Sequence, residues 1–227
     1  MAMSERLDFL KSEEPASDRR TRRETWPVNN SGLDNYFAVD LPGHPEGVLG
    51  IIEEQLGMAE GNAGIDIAGG SNGVALRKLL SMGILEKALV TNYRDKRNLA
   101  ARLTPGLKHA RGDIVRPRTW ERIINWQERV APEGLALVMH RPDGSMQDFS
   151  PDFYEGAAHL LLDMIRPEGI MFTQMPFSLR NRYASSLEPI CQGIEDRPDV
   201  RLVIASKVPK GPQDVRRREN CVVIVKG

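Results

Sequence analysis

Several things are missing from this sequence, and each absence excludes something. No run of about 18 apolar residues occurs, so no membrane-spanning helix is expected. Cysteine is limited to Cys191 and Cys221, too few for a disulfide framework or a cysteine zinc site. Cys221 falls in an apolar, strand-like run and is expected to be a buried thiol. Residues Met1 to Lys11 lack the apolar core of a signal peptide, which makes the cytoplasm the expected location. Without such a signal the sequon Asn29-Asn30-Ser31 carries no meaning. There is no excess of one charge: Lys plus Arg and Asp plus Glu both number 31, so nothing global pulls toward nucleic acid or membrane. No internal repeat or second domain is visible. The 227 residues suit one α/β domain spanning 48–227, preceded by an N-terminal extension over 1–47.

The most informative stretch is Gly64-Ile65-Asp66-Ile67-Ala68-Gly69-Gly70-Ser71-Asn72-Gly73, followed by Val74 to Leu80. Ile65 and Ile67 are β-branched and suit a packed strand. Gly69, Gly70 and Gly73 permit backbone angles that side chains forbid and allow a ligand close to the main chain. Ser71 is the expected N-cap of the next helix. Val74, Leu76, Leu79 and Leu80 give that helix an apolar face. A glycine turn between strand and helix leaves backbone N–H groups aimed at whatever lies above it. The same pattern also describes a tight turn without a ligand.

Asp66, at the strand end, adds a signal for a ligand, and the later segments decide between the two. With it, the stretch resembles motif I of the class I S-adenosylmethionine (SAM)-dependent methyltransferases, apolar-Asp-apolar-Gly-x-Gly-x-Gly, with Ala68 and Asn72 at glycine positions. The resemblance implies that Asp66, Ala68, Gly69, Gly70, Ser71 and Gly73 surround the methionine part of SAM. It extends over later segments. Lys87 to Thr91 reads as a second strand, ending in Asn92 where the family usually has a ribose-binding acid. An asparagine amide can also bond hydroxyls, since it donates and accepts. Gly112-Asp113-Ile114, after a short strand from Leu107, resembles the segment that contacts adenine, with Asp113 accepting from its amine. Residues 165–169 resemble the turn into the fifth strand.

The remaining segments fill out an α/β order. Val48 to Leu56 and residues 94–103 read as helices. Arg118 to Val130 is amphipathic, with Trp120, Ile123, Ile124 and Val130 on one side and Trp126 at its border. The tryptophans are expected in the core. Gly134 to Met139 is continuously apolar, as suits a strand buried on both faces of a parallel sheet. Its tail, His140-Arg141-Pro142-Asp143, is expected to face a site, because ligands on open α/β sheets bind beyond the carboxyl ends of strands. Ser150 onward starts another helix. Leu202 to Val208 and Asn220 to Lys226 lie too close for a crossover helix and are expected to pair antiparallel. The expected architecture is a Rossmann-like, mostly parallel seven-stranded sheet with helices on both faces and a C-terminal antiparallel hairpin. Residues 1–30, rich in both charges, read as a solvated or partly helical arm.

The resemblance implies methyl transfer from SAM. Such a reaction needs the acceptor held in line and often a base. His140 is the first candidate for the base, since imidazole titrates near neutral pH; the alternative is a strand-end histidine bonded to nearby backbone. Arg141 could orient an anionic acceptor. The expected acceptor is a small molecule, with nucleic acid left open; no membrane partner and no metal are expected. The alternatives are a SAM-binding module without activity, an RNA methyltransferase, and a nicotinamide-dependent oxidoreductase using the same glycine turn.

Overall fold

A computed structural model of the chain describes residues 6–12, 41–57, 60–67, 70–92, 97–140, 151–175, 192–205 and 220–227. Seven strands form one sheet: β1 (Ala63–Ile67), β2 (Lys87–Asn92), β3 (Leu107–Arg111), β4 (Leu135–His140), β5 (Ile165–Met175), β6 (Val200–Ala205) and β7 (Asn220–Lys226). Their spatial order is β3-β2-β1-β4-β5-β7-β6. The first five run parallel. β7 pairs antiparallel with both β5 and β6, so the expected C-terminal hairpin is present. Among the described residues, helices α1 (Gly47–Leu56), α2 (Val74–Ser81), α3 (Leu99–Leu103), α4 (Pro117–Val130) and α5 (Pro151–Asp163) accompany the sheet.

The core has two layers, one on each face of the sheet. Val48, Ile52, Leu76 and Leu79, from α1 and α2, pack on Val90, Met139 and Phe172. Trp120, Ile124, Phe153 and Leu161, from α4 and α5, pack on Ile65, Val138 and Met171. The alternation along each strand explains the division, since neighbouring residues point to opposite faces. β1 and β4 are buried on both faces and are correspondingly apolar throughout, apart from Asp66 and His140. Trp120 is fully buried and Trp126 nearly so, as their helical spacing predicts.

Three local expectations change. Ser71 is not the N-cap of α2: the cap position is Gly73, in the left-handed region. A Cβ at Gly73 would lie 2.5 Å from Val90 Cγ2, so packing on β2 as well as the positive φ requires glycine there. The N-terminal segment is not wholly solvated, because a short 3-10 helix (Asp8–Ser12) docks on the domain. Leu7 and Leu10 are buried, and the Phe9 ring lies 5.6 Å from Trp120 and 5.4 Å from Phe153. β5 begins at Ile165, and the expected turn survives as an irregularity within it, with Glu168 at φ 61. Cys191, the side chain of Cys221, and residues 13–40 with most of the charged arm lie outside the described residues.

Candidate functional site

In an open parallel sheet the strand order reverses at one point, and the loops on either side diverge there to leave a crevice. Here the reversal falls between β1 and β4, since the chain moves outward from β1 to β3 and then returns to β4. The residues that leave the carboxyl ends of β1, β2, β3 and β4 therefore share one edge. The register is specific: Ile67 pairs with Thr91 on one side and with His140 on the other, and His140 pairs with Thr173.

Asp66 lies one residue before the end of β1 and is fully buried. Its register partners are Val90 and Met139. Ala68 and Gly69 lie outside the described residues. The turn resumes at Gly70, with φ 91, whose carbonyl accepts from the Gly73 amide at 3.2 Å. Ser71 and Asn72 are buried. The Asn72 carboxamide oxygen accepts from the Asn98 amide at 2.8 Å and so ties the glycine turn to the start of α3. Asn98 in turn caps α3 by accepting from the Ala101 amide.

Asn92 ends β2 and is half-buried. Its carbonyl accepts from the Gly112 amide at 3.0 Å, which joins the tail of β2 to the tail of β3. A Cβ at Gly112 would collide with the Thr119 side chain, so α4 packs closely beneath this loop. Asp113 is half-buried; its Oδ1 accepts from the Val115 amide at 3.4 Å and its carbonyl from the Arg116 amide at 2.9 Å. Ile114 is buried, and its carbonyl accepts from Trp120 Nε1 at 2.6 Å. The Gly-Asp-Ile loop is thus anchored on the core by Trp120 and on β2 by Asn92.

His140 ends β4 and is 1% exposed. Neither ring nitrogen finds a hydrogen-bond partner among the described residues, and neither does the buried hydroxyl of Thr173 beside it. The backbone partner anticipated for a structural histidine is absent among those residues. Register partners project to the same face, here that of Val138, Met171 and the core under α4 and α5. Loss of hydration pushes the imidazole down from 6.5 to about 4, so His140 is neutral at neutral pH. Buried polar groups normally have partners, and two neighbours without any mark a place where something polar belongs. The sequence singled out His140 from its strand end; nothing singled out Thr173, which only the register reveals. Arg141 lies outside the described residues.

No sequence-family model matches this chain, and no curated protein sequence matches it. Solved structures do. A candidate rRNA methylase from Clostridium thermocellum is similar over 79% of this chain and 97% of its own, at 14% identity and a TM-score of 0.54. A candidate methyltransferase from Streptococcus mutans, crystallised in complex with SAH, is similar over the same shares at 10% identity and a TM-score of 0.52. The chain shares its fold with these two candidate methyltransferases. At such identities the likeness concerns architecture: a sheet of this order with a reversed last strand, not the side chains at its edge.

Proposed function

We propose that the protein binds SAM at the carboxyl edge of β1, β2 and β3 and transfers its methyl group to an acceptor placed near β4. The observation that carries this reading is the pair His140 and Thr173, two buried polar groups without partners among the described residues. They sit at the switch point of a fold whose similar structures include one solved with SAH. SAM would supply an electrophilic methyl on a sulfonium. On this reading the glycine turn from Ala68 to Gly73 receives the methionine end, with Asp66 beneath it. Asn92 bonds the ribose. Asp113 accepts from the adenine amine, and Ile114 packs against the ring.

His140 is the proposed base. Its depressed pKa keeps it in the unprotonated form a base needs. It also limits His140 to protons that have become acidic, such as one on a nitrogen or oxygen gaining positive charge as the methyl arrives. Arg141 is proposed to orient the acceptor. The sequence suggests a small-molecule acceptor and a cytoplasmic location; among the described residues no helix is long and apolar enough to cross a membrane.

The test is turnover of SAM in the wild type and in His140→Ala. The variant should keep its SAM affinity and lose turnover by about 10²–10⁴, the usual contribution of a positioned base. Equal turnover in the two proteins would remove His140 from the chemistry. The weak basicity of His140 favours one second reading, a SAM-binding module without transferase activity; SAM binding with no product from any acceptor would decide for it.

A further inference from the structure

The neutral net charge of the chain conceals a division. Between residues 70 and 118 there are eleven Lys and Arg against three Asp and Glu, although both classes number 31 overall. This span builds α2, β2, α3, β3 and the start of α4, which together form one outer edge of the sheet, with β3 its edge strand. The remainder of the chain is correspondingly acidic.

Most of the described basic residues at this edge are exposed. Lys78, Arg102, Lys108, Arg111, Arg116 and Arg118 are all exposed. None of them forms an ion pair among the described residues, whereas Arg197 and Arg201 at the opposite edge pair with Asp163, Asp199 and Glu168. Arg77 and Lys78 line a cleft of about 600 Å³ between α2 and α3, and Arg102 lies on α3 next to the lining residue Leu103. The cleft walls also include Val74, Leu80 and Pro105. Leu99 and Leu103, one turn apart on α3, are 71% and 69% exposed. Lys108 lies beyond them on β3, and Arg111 leads into the Gly112–Ile114 loop of the candidate site.

We infer that this edge is a docking surface for single-stranded RNA. The charges occupy both faces of one sheet edge, so a partner must bend around it, which a flexible polyanion does. An apolar cleft of this volume with a cationic rim suits an unstacked base with its phosphates outside. A lipid surface fits poorly, because α3 has only five residues and cannot lie as an amphipathic helix. Duplex DNA fits poorly too, since no long helix of this edge projects to enter a major groove. The edge ends at the candidate site, so RNA held on it would present a nucleotide there; that RNA is the methyl acceptor rests on the methyltransferase reading, whereas its binding does not.

The test uses the full chain and a labelled mixed-sequence RNA of about 20 nucleotides, with binding followed by anisotropy over a salt series. The variant Lys78→Glu/Arg102→Glu/Lys108→Glu changes three exposed residues outside the candidate site. Wild type should bind with a log–log salt dependence. The variant should lose at least about tenfold in affinity and reduce the slope by about two, at roughly 0.7 per single-strand phosphate contact. Circular dichroism and SAM calorimetry on both proteins show whether fold and cofactor site survive. No RNA binding, an unchanged variant, or tighter binding to polyglutamate, anionic vesicles or duplex DNA of equal length would overturn the inference. SAM binding without RNA binding overturns this inference alone; RNA binding without SAM binding overturns the methyltransferase reading alone.

Discussion

His140 and Thr173 lie side by side on β4 and β5, in register and on one face, and both are buried with polar atoms that have no partner among the described residues. Burial of an imidazole disfavours its charged form, which sets how stability varies with pH. The folded-state pKa, about 4, lies below the unfolded value of 6.5. Between those values the unfolded chain binds a proton that the folded chain refuses. The contribution of His140 is therefore complete above about pH 6.5 and is lost as pH falls toward 4.

Urea unfolding across that window gives the first prediction. Wild type should lose on the order of a few kcal/mol between pH 7 and 4, part of it through this residue. His140→Gln, which cannot titrate, should show a shallower loss over the same range. Identical slopes in the two proteins would mean that the imidazole is hydrated in the folded state.

The second prediction concerns Gly73. Its φ of 52 and the closeness of Val90 make it the structural key of the turn. Gly73→Ala should cost roughly 1–2 kcal/mol for the left-handed backbone alone, and more from the contact. Val90→Ala in that background should recover the contact part, so the double variant should be more stable than additivity predicts. Additive losses would show that the turn simply shifts. Gly70, at φ 91, is subject to the same strain, so a bulky residue there tests the fold before it tests a ligand.

The third prediction concerns Asp113. One hydrogen bond from the adenine amine is worth roughly 0.5–1.5 kcal/mol net. Asp113→Ala should weaken SAM binding by about tenfold and leave an analogue lacking that amine nearly unaffected. Equal losses for both ligands would assign the carboxylate to its other bond, the one from the Val115 amide, and make it a loop anchor.

Much of the architecture was legible because its causes are local. The apolar run of β4, the strand–glycine–helix order around Asp66 and the short connection between β6 and β7 each express a rule of chain geometry. Trp120 and Trp126 could be placed in the core from helical spacing alone. By residue type Ser71 is the better cap of α2, yet Gly73 holds that position. The turn is instead fixed by a distant contact, Val90 against Gly73, which spacing does not reveal. Leu7, Phe9 and Leu10 escaped notice among charged neighbours, since three apolar residues make no periodic pattern until Trp120 and Phe153 meet them. At the site, His140 was legible as a strand end. Thr173 was not, because only pairing brings it alongside. The basic edge was hidden by counting charge over the whole chain and emerges once α2, α3 and β3 come together in space.

The most direct test of the central claim is calorimetric titration of the full-length protein with SAM, beside a parallel titration with reduced nicotinamide dinucleotide. The account predicts saturable binding of one SAM per chain, weakened in Asp113→Ala, and no heat from the dinucleotide. A folded protein that gives no heat with SAM, or that binds the dinucleotide instead, would contradict it.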